Sequence, residues 1–309
     1  MDIAKQVPRD CNKPTVVVIG ATGFFGKYIV DELQRLPVSV VLIGRNAHKV
    51  VNINADIRFQ GAWQEELSKE KISAVIHLAG HPRIKDVAKA RRTHIDGLQN
   101  VLDAIQKSRP WMLLVSSGAV YGDIPPSLFP IPETQECEPL TEYGHLKLMQ
   151  ESIVTARQDH LGGICIVRPS NLIGPGLSDK FFLGNLVEKL SKETSTTGIV
   201  DVKLGSLAGT RDFLDVRDAL RAISSLVQAR IEGTFNLSTG KEVPLREVVD
   251  LCLNHLNTTC RIVEDEDIFP PSISRQALSC SKLMKVIDWR ASSPLTQTID
   301  DMFDFLSSG

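Results

Sequence analysis

The sequence predicts an α/β fold in which a doubly wound parallel sheet carries a smaller C-terminal domain. Three observations predict it. Runs rich in Val, Ile and Leu recur along the first half, helical patterns separate them, and a glycine-spaced turn joins the first run to the first helix. Apolar runs without alternation suit strands buried on both faces, and repeated strand–helix units make a parallel sheet the default.

The elements follow in order. TVVVIG (15–20) reads as the first strand and KYIVDELQRL as the helix after it; VSVVLIG (38–44) and AVIHLAG (74–80) read as further strands. HIDGLQNVLDAIQK has helical periodicity, WMLLVSS (111–117) is again a strand, and a Pro-rich loop precedes the helical YGHLKLMQESIVTARQ. ICIVRPS (164–170) closes the regular part. Beyond it, a loop with Gly174, Pro175 and Gly176 leads into the helical patterns KFFLGNLVEKLSK and RDFLDVRDALRAISSLVQ, then GTFNLSTGKEVPLREVVDLCLNHL. The expected organisation is a tail over 1–13, a Rossmann-type nucleotide-binding domain over 14–170 with segments near 205–240 returning to it, and a substrate-binding domain from 171–204 and 241–309.

Composition narrows the function classes. A 309-residue chain, 42% hydrophobic, can build one large core or two coupled ones. A net charge of −2 supplies no basic field for a nucleic-acid backbone. No apolar run approaches the ~20 residues that span a bilayer, so no membrane partner is expected. The opening MDIAKQVPRDCNKP lacks the apolar stretch of a secretory signal. Cysteines at 11, 137, 165, 252, 260 and 280 form no CxxC pair, which points to reduced thiols in the cytoplasm and to no metal site.

Gly20, Gly23 and Gly26 lie between strand and helix in VVVIGATGFFGKYIV. Glycines there permit a tight turn and close approach to a pyrophosphate, while the helix aims its N–H groups and dipole at that anion. The expected cradle is Gly20, Thr22, Gly23, Phe24, Phe25 and Gly26. About twenty residues further on, an NAD site places an acid on the ribose 2′-hydroxyl. This chain has Gly44-Arg45 there, with Lys49 behind. A guanidinium can pair a 2′-phosphate bidentately, so NADP(H) is the expected cofactor and NAD(H) the alternative.

Tyr143 and Lys147, in YGHLK, are four residues apart and share a helix face. The ammonium, together with a positive nicotinamide ring, would lower the tyrosine from its usual ~10, and the hydroxyl could then exchange a proton with a substrate oxygen.

These features together resemble the extended short-chain dehydrogenase/reductases, in particular the NAD(P)-dependent nucleotide-sugar epimerases, dehydratases and 4-ketoreductases. The resemblance runs through the glycine spacing, ADI, HLAG, SSGAVYG, YGHLK, RPSNLIGPG, GTRDFLDVRDA, TFNLSTGK and CSKL…DWR, nearly the whole chain. It implies that Asp56 and Ile57 meet the adenine, that Leu78, Ala79 and Gly80 lie along the cofactor with His94 and Pro169, and that Lys147 holds the nicotinamide ribose. It makes Ser117 the hydroxyl that steadies the reacting oxygen, with Ser116 as the neighbouring alternative. Asn171 and Arg211 match positions that hold a nucleotide diphosphate; a structural ion pair of Arg211 with Asp212 or Asp215 is the competing reading. The family usually has Asn where His94 stands, so His94 is either a hydrogen-bonding substitute or an interior histidine. A C-terminal Arg that grips the diphosphate is replaced near Pro270-Pro271, and Arg275 is the candidate substitute. A homodimer through two helices per subunit, one bearing Tyr143, is also implied.

The resemblance sharpens the chemistry. Sugar dehydratases carry two acids where this chain has Gly118 and Ala119, so dehydration is excluded. GTRDFLDVRDA is most similar to the GDP-4-keto-6-deoxymannose reductase type. The expected activity is NADPH-dependent reduction of the 4-keto group of a nucleotide-linked 4-keto-6-deoxy sugar. The alternatives are an NAD-dependent nucleotide-sugar 4-epimerase using the same residues, and, from another class, an NADP(H)-sensing binding protein.

Overall fold

A computed structural model describes residues 13–45, 52–80, 84, 86–193, 200–256, 260–265 and 274–308. The first part alternates as predicted. It contains β1 (Thr15–Ile19), α1 (Phe24–Leu33), β2 (Ser39–Gly44), β3 (Ile53–Asn54), α2 (Ala62–Ser68), β4 (Ile72–His77), α3 (Val87–Arg91), α4 (Gly97–Ile105), β5 (Trp111–Val115), α5 (Glu142–Ala156) and β6 (Ile164–Pro169). There follow β7 (Asn171–Ile173), α6 (Phe182–Glu193), β8 (Val200–Leu204), β9 (Thr210–Arg211), β10 (Phe213–Asp215), α7 (Val216–Ala229) and β11 (Gly233–Leu237). The chain ends with β12 (Val243–Pro244), α8 (Leu245–Leu256), β13 (Cys260–Glu264), α9 (Ser281–Val286) and α10 (Leu295–Ser307).

The main sheet has seven strands in the order β11–β6–β5–β4–β1–β2–β3, and the pairs from β3 across to β6 run parallel. Strand order reverses beside β1, so the crevice for a ligand lies at the carboxyl ends of β1 and β4. Val17 pairs with Val41 on one side and Val75 on the other, and all three are fully buried. β-branched residues fit such a two-sided pleated surface. Leu98, Val101, Leu102 and Ile105 of α4 close one face at helical spacing. Each fully buried side chain of this kind contributes about 1.5–3 kcal/mol.

One irregularity was not expected. Where the sequence suggests a plain helix, residues Arg92–Asp96 form a π-helical turn between α3 and α4. The extra residue in a π turn changes which side chains face inward; His94 and Ile95 are buried here.

The chain divides into two compact units. The first holds the chain up to Val120, Thr141–Arg168 and Leu220–Phe235; the second holds Tyr121–Leu140, Pro169–Ala219 and the chain from Asn236. These boundaries differ from those expected. The returning segment is shorter than 205–240, because β9 pairs with β12 and β10 with β7 inside the second unit. Residues 121–140 leave the first unit because Ile131 bridges to Leu278, and Asn236 bonds both Tyr121 (2.7 Å) and the Ile131 carbonyl (2.9 Å). The expected tail lies outside the described residues, apart from Lys13. The second unit has its own core: Leu183, Leu186, Val187 and Leu190 of α6 pack in one cluster with Val248 and Val249 of α8 and Ile299, Met302 and Phe303 of α10. The 3–4 spacing on α6 and α10 makes those faces continuous.

Candidate active site

The glycine turn comes first. Gly20 adopts φ +89°, and a Cβ there would lie 3.0 Å from the Ala79 nitrogen. A Cβ on Gly26 would lie 2.4 Å from the Gly20 carbonyl oxygen, a separation no side chain tolerates. The turn closes through Gly23 N–H donating to Gly20 O (3.1 Å). α1 then starts at Phe24 with no side-chain cap and no acid in its first turn, so its orphan N–H groups and dipole suit an anion. Thr22 and Gly23 are exposed, Phe24 is half-buried and stands edge-on to Tyr28, and Phe25 is buried. This cradle fits a pyrophosphate: it is narrow at the backbone and carries no side chain that competes for the N–H groups.

Arg45 is exposed at the end of β2. Lys49 lies outside the described residues. Asp56 accepts the Arg58 guanidinium at 2.8 Å and the Arg58 backbone N–H at 3.2 Å, and those bonds, with smaller help from Arg45, hold its carboxyl below the usual range. Ile57 is buried beside it in the cluster that also holds Leu98. Arg58 was not singled out from the sequence, although its place two residues after Asp56 is the signal.

The reacting groups gather at the ends of β4 and β5. Leu78, Ala79 and Gly80 follow β4, with Leu78 N–H bonded to Ile19 O (2.9 Å). Gly80 has φ +137°, and the His94 ring occupies the space a Cβ would take. His94 is fully buried and stands edge-on to the Tyr143 ring, centroids 5.9 Å apart. Thr141 caps α5 by accepting from Gly144 N–H (3.1 Å), which starts the helix just before Tyr143. The Tyr143 hydroxyl faces Ser117, which favours the tyrosinate. Ser117 Oγ also accepts from Ala119 N–H (3.1 Å), which leaves the serine proton for the tyrosine oxygen. Lys147 is buried, donates to the Val115 carbonyl (2.8 Å), and sits 5.9 Å from the centre of the Tyr143 ring.

The protein's own groups set the resting state of this pair. Burial pushes the Tyr143 hydroxyl up to about 12, against the Ser117 hydrogen bond that favours the tyrosinate. Lys147 is itself lowered by burial to about 8, with Glu151 opposing, and stays charged at neutral pH. In this structure the tyrosine therefore keeps its proton at neutral pH and is a donor rather than a base. His77, at the end of β4, is buried with no hydrogen-bond partner on either ring nitrogen among the described residues, and burial lowers it to about 3. Ser116 is buried and donates to Glu151 (2.5 Å), so of the two serines only Ser117 faces Tyr143.

The remaining candidates, Pro169, Asn171, Arg211 and Arg275, belong to the second unit. Asn171 donates through Nδ2 to the Asp212 carbonyl (3.0 Å) and to Gln276 Oε1 (3.2 Å). Arg211 is half-buried, donates to the Thr210 carbonyl (2.7 Å), and is lowered by burial alone. The competing ion pair is not formed. Asp212 accepts instead from Thr239, Gly240 and Ser170, and Asp215 pairs with Arg217. Among the described residues no carboxylate pairs with Arg211. Arg275, by contrast, donates through Nε to Glu242 (2.9 Å) and lies 5.0 Å from the centre of the Phe129 ring, so its charge is already matched. Among the described residues no group of His, Cys, Asp and Glu could hold a metal ion, and no helix is long and apolar enough to cross a membrane.

Comparison with known proteins covers the same ground. Residues 16–238 match the model of the NAD dependent epimerase/dehydratase family. A GDP-6-deoxy-D-mannose reductase from Pseudomonas aeruginosa is 29% identical over 257 residues, 80% of this chain and 82% of the relative. A UDP-glucose 4-epimerase from Lactobacillus helveticus is 28% identical over 267 residues, 76% of this chain and 79% of that one. Among solved structures, RMD from Pseudomonas aeruginosa complexed with NADPH superposes with a TM-score of 0.84 at 25% identity, covering 96% of this chain and 99% of the other.

Proposed function

Because the chain belongs to the NAD dependent epimerase/dehydratase family, we propose that it reduces the 4-keto group of a nucleotide-linked 4-keto-6-deoxy sugar, with NADPH as reductant and NADH as the weaker substitute. The observation that carries this reading is the Tyr143–Lys147 pair on α5, set beside Ser117 with the lysine buried, where the dehydratase acids are replaced by Gly118 and Ala119.

The roles follow from the residues. The Gly20–Gly26 turn and the start of α1 take the pyrophosphate, and Arg45 takes the 2′-phosphate. Asp56 and Ile57 meet the adenine. Leu78, Ala79, Gly80, His94 and Pro169 border the nicotinamide half, and Lys147 bonds its ribose. When bound, the reduced nicotinamide supplies the hydride. Tyr143 donates its proton to the forming alkoxide, and Ser117 bonds that oxygen as its charge grows. Arg211 pairs with the substrate diphosphate, since a half-buried guanidinium with no carboxylate partner among the described residues suits an anion; Asn171 assists, and Arg275 would have to leave Glu242 to join them. Two copies of the chain associate, in the cytoplasm, on this reading.

Two measurements test it. Purified protein given NADPH and GDP-linked 4-keto-6-deoxymannose is expected to consume cofactor in step with product. A protein that retains NAD and interconverts 4-epimers with no net consumption contradicts the proposal. In a paired titration, Arg45→Glu is expected to weaken NADPH binding by about 10–100-fold, the worth of one charged hydrogen-bonded pair, and to leave NADH little changed. Equal effects on the two cofactors would remove Arg45 from the 2′-phosphate.

A further inference from the structure

Tyr143, Lys147 and Glu151 stand four residues apart on α5, one turn after another along one face. Lys147 and Glu151 of this face are buried, which is unusual for charged side chains on a helix. Glu151 accepts from Ser116 Oγ at 2.5 Å, from Arg168 Nε at 3.0 Å and from Arg168 Nη2 at 2.6 Å. Arg168 is on β6, and Ser116 follows β5, where its N–H donates to the Val167 carbonyl (2.7 Å). Lys147 grips the preceding carbonyl, that of Val115. Two successive turns of α5 are thus tied to two successive residues at the end of β5. The next residue is Ser117, the partner of Tyr143.

We propose that Glu151 is a positioning residue for the reaction: through Ser116 and Arg168 it fixes the height and rotation of α5 on the sheet, and so the placement of Tyr143 and Lys147 against Ser117. A buried ion pair is a weak source of stability, because desolvation offsets its attraction. Placement is the better account of this one, whose three bonds lie one turn beyond Lys147 and, at Ser116, next to Ser117. Glu151 also supplies charge. The groups facing Lys147 are Glu151 and Tyr143 on its own helix and His77 from β4. His94 from the π turn lies beside His77 and Tyr143, and Arg168 from β6 is matched by Glu151. His77 stays neutral at working pH, so Glu151 is the group that holds the ammonium charged.

The inference rests on the reading that Tyr143 and Lys147 carry the reduction, and its test separates the two. In the full-length protein, Glu151→Gln is expected to lower kcat by about 10–100-fold with little change in KM, since small misplacements are costly to rate. Removing the negative charge lowers the Lys147 titration by about one pH unit, and the alkaline fall of kcat/KM moves to lower pH with it. That titration is read independently of turnover from the Lys147 side-chain carbon resonance, identified by its loss in Lys147→Arg. Glu151→Asp, which keeps the charge on a shorter arm, should restore the titration and leave kcat low. Ser116→Ala should lower kcat without moving the titration. A folded Glu151→Gln protein with wild-type kcat and an unmoved Lys147 resonance overturns the inference. If Glu151→Gln does not fold, wild-type kcat in both Glu151→Asp and Ser116→Ala overturns it. Absence of turnover in the wild type defeats the reductase reading instead, and the resonance titration still decides the role of Glu151.

Discussion

Tyr143→Phe is expected to lower kcat for 4-keto reduction by about 10²–10⁴-fold, the usual contribution of a positioned proton donor, while NADPH still binds. The phenyl ring keeps the edge contact with His94 and the packing over Lys147. What is lost is the hydroxyl that faces Ser117. Because that hydroxyl is held up at about 12, it is protonated throughout the neutral range, and its loss removes a donor at every working pH. The pH profile of the residual activity should therefore lie parallel to that of the wild type below the titration of Lys147 near 8. Steady-state turnover together with a cofactor titration checks this. A variant that retains more than about a tenth of wild-type kcat would remove Tyr143 from the proton transfer. A protein that only senses the cofactor would show unchanged partner responses in the same variant.

The second large effect is at Gly26. Gly26→Ala places a methyl group 2.4 Å from the Gly20 carbonyl oxygen, so the turn must open. Overpacking of this kind costs about 1–3 kcal/mol of stability, and the displaced backbone no longer presents its N–H groups to the pyrophosphate. A shift on the order of 1 Å in that contact is enough for about a 10²-fold loss in rate. Gly23→Ala is the contrasting variant. Its Cβ would lie 3.3 Å from the same oxygen, a tight contact that small movement relieves. Gly23→Ala should keep thermal stability close to wild type and lose NADPH affinity, whereas Gly26→Ala should lose both. Equal stability of the two proteins would contradict the account of the turn.

Some of this was legible in the sequence. Unbroken Val, Ile and Leu runs mark strands buried on two faces, and β1, β2, β4, β5 and β6 form where those runs stand. The glycine spacing and the Tyr143–Lys147 spacing are local, so the turn and the reacting pair could be read directly. What could not be read depends on tertiary surroundings. The direction of the Tyr143 shift is set by burial around its hydroxyl, which no neighbour in sequence reports. The Ser116–Glu151–Arg168 network joins three elements, and only the four-residue spacing of Glu151 from Lys147 hinted at it. The π turn that buries His94 has the same apolar pattern as an ordinary helix. The paired strands β7 with β10 and β9 with β12 are two or three residues long, too short for any periodicity, and they carry Asn171 and Arg211. That is why the boundaries of the second unit are not visible in the sequence.

The central claim is that this chain delivers hydride from exchangeable NADPH to the 4-keto carbon of a nucleotide-linked 6-deoxy sugar. The most direct measurement uses NADPH deuterated at the transferable C4 position, with a GDP-linked 4-keto-6-deoxy sugar and the full-length protein, and reads the product by mass spectrometry and NMR. One deuterium at C4 of the reduced sugar, with one NADPH oxidised for each sugar formed, is the predicted result. A 4-keto sugar left unreduced with the added NADPH intact, while the protein interconverts the corresponding 4-hydroxy epimers, would contradict it.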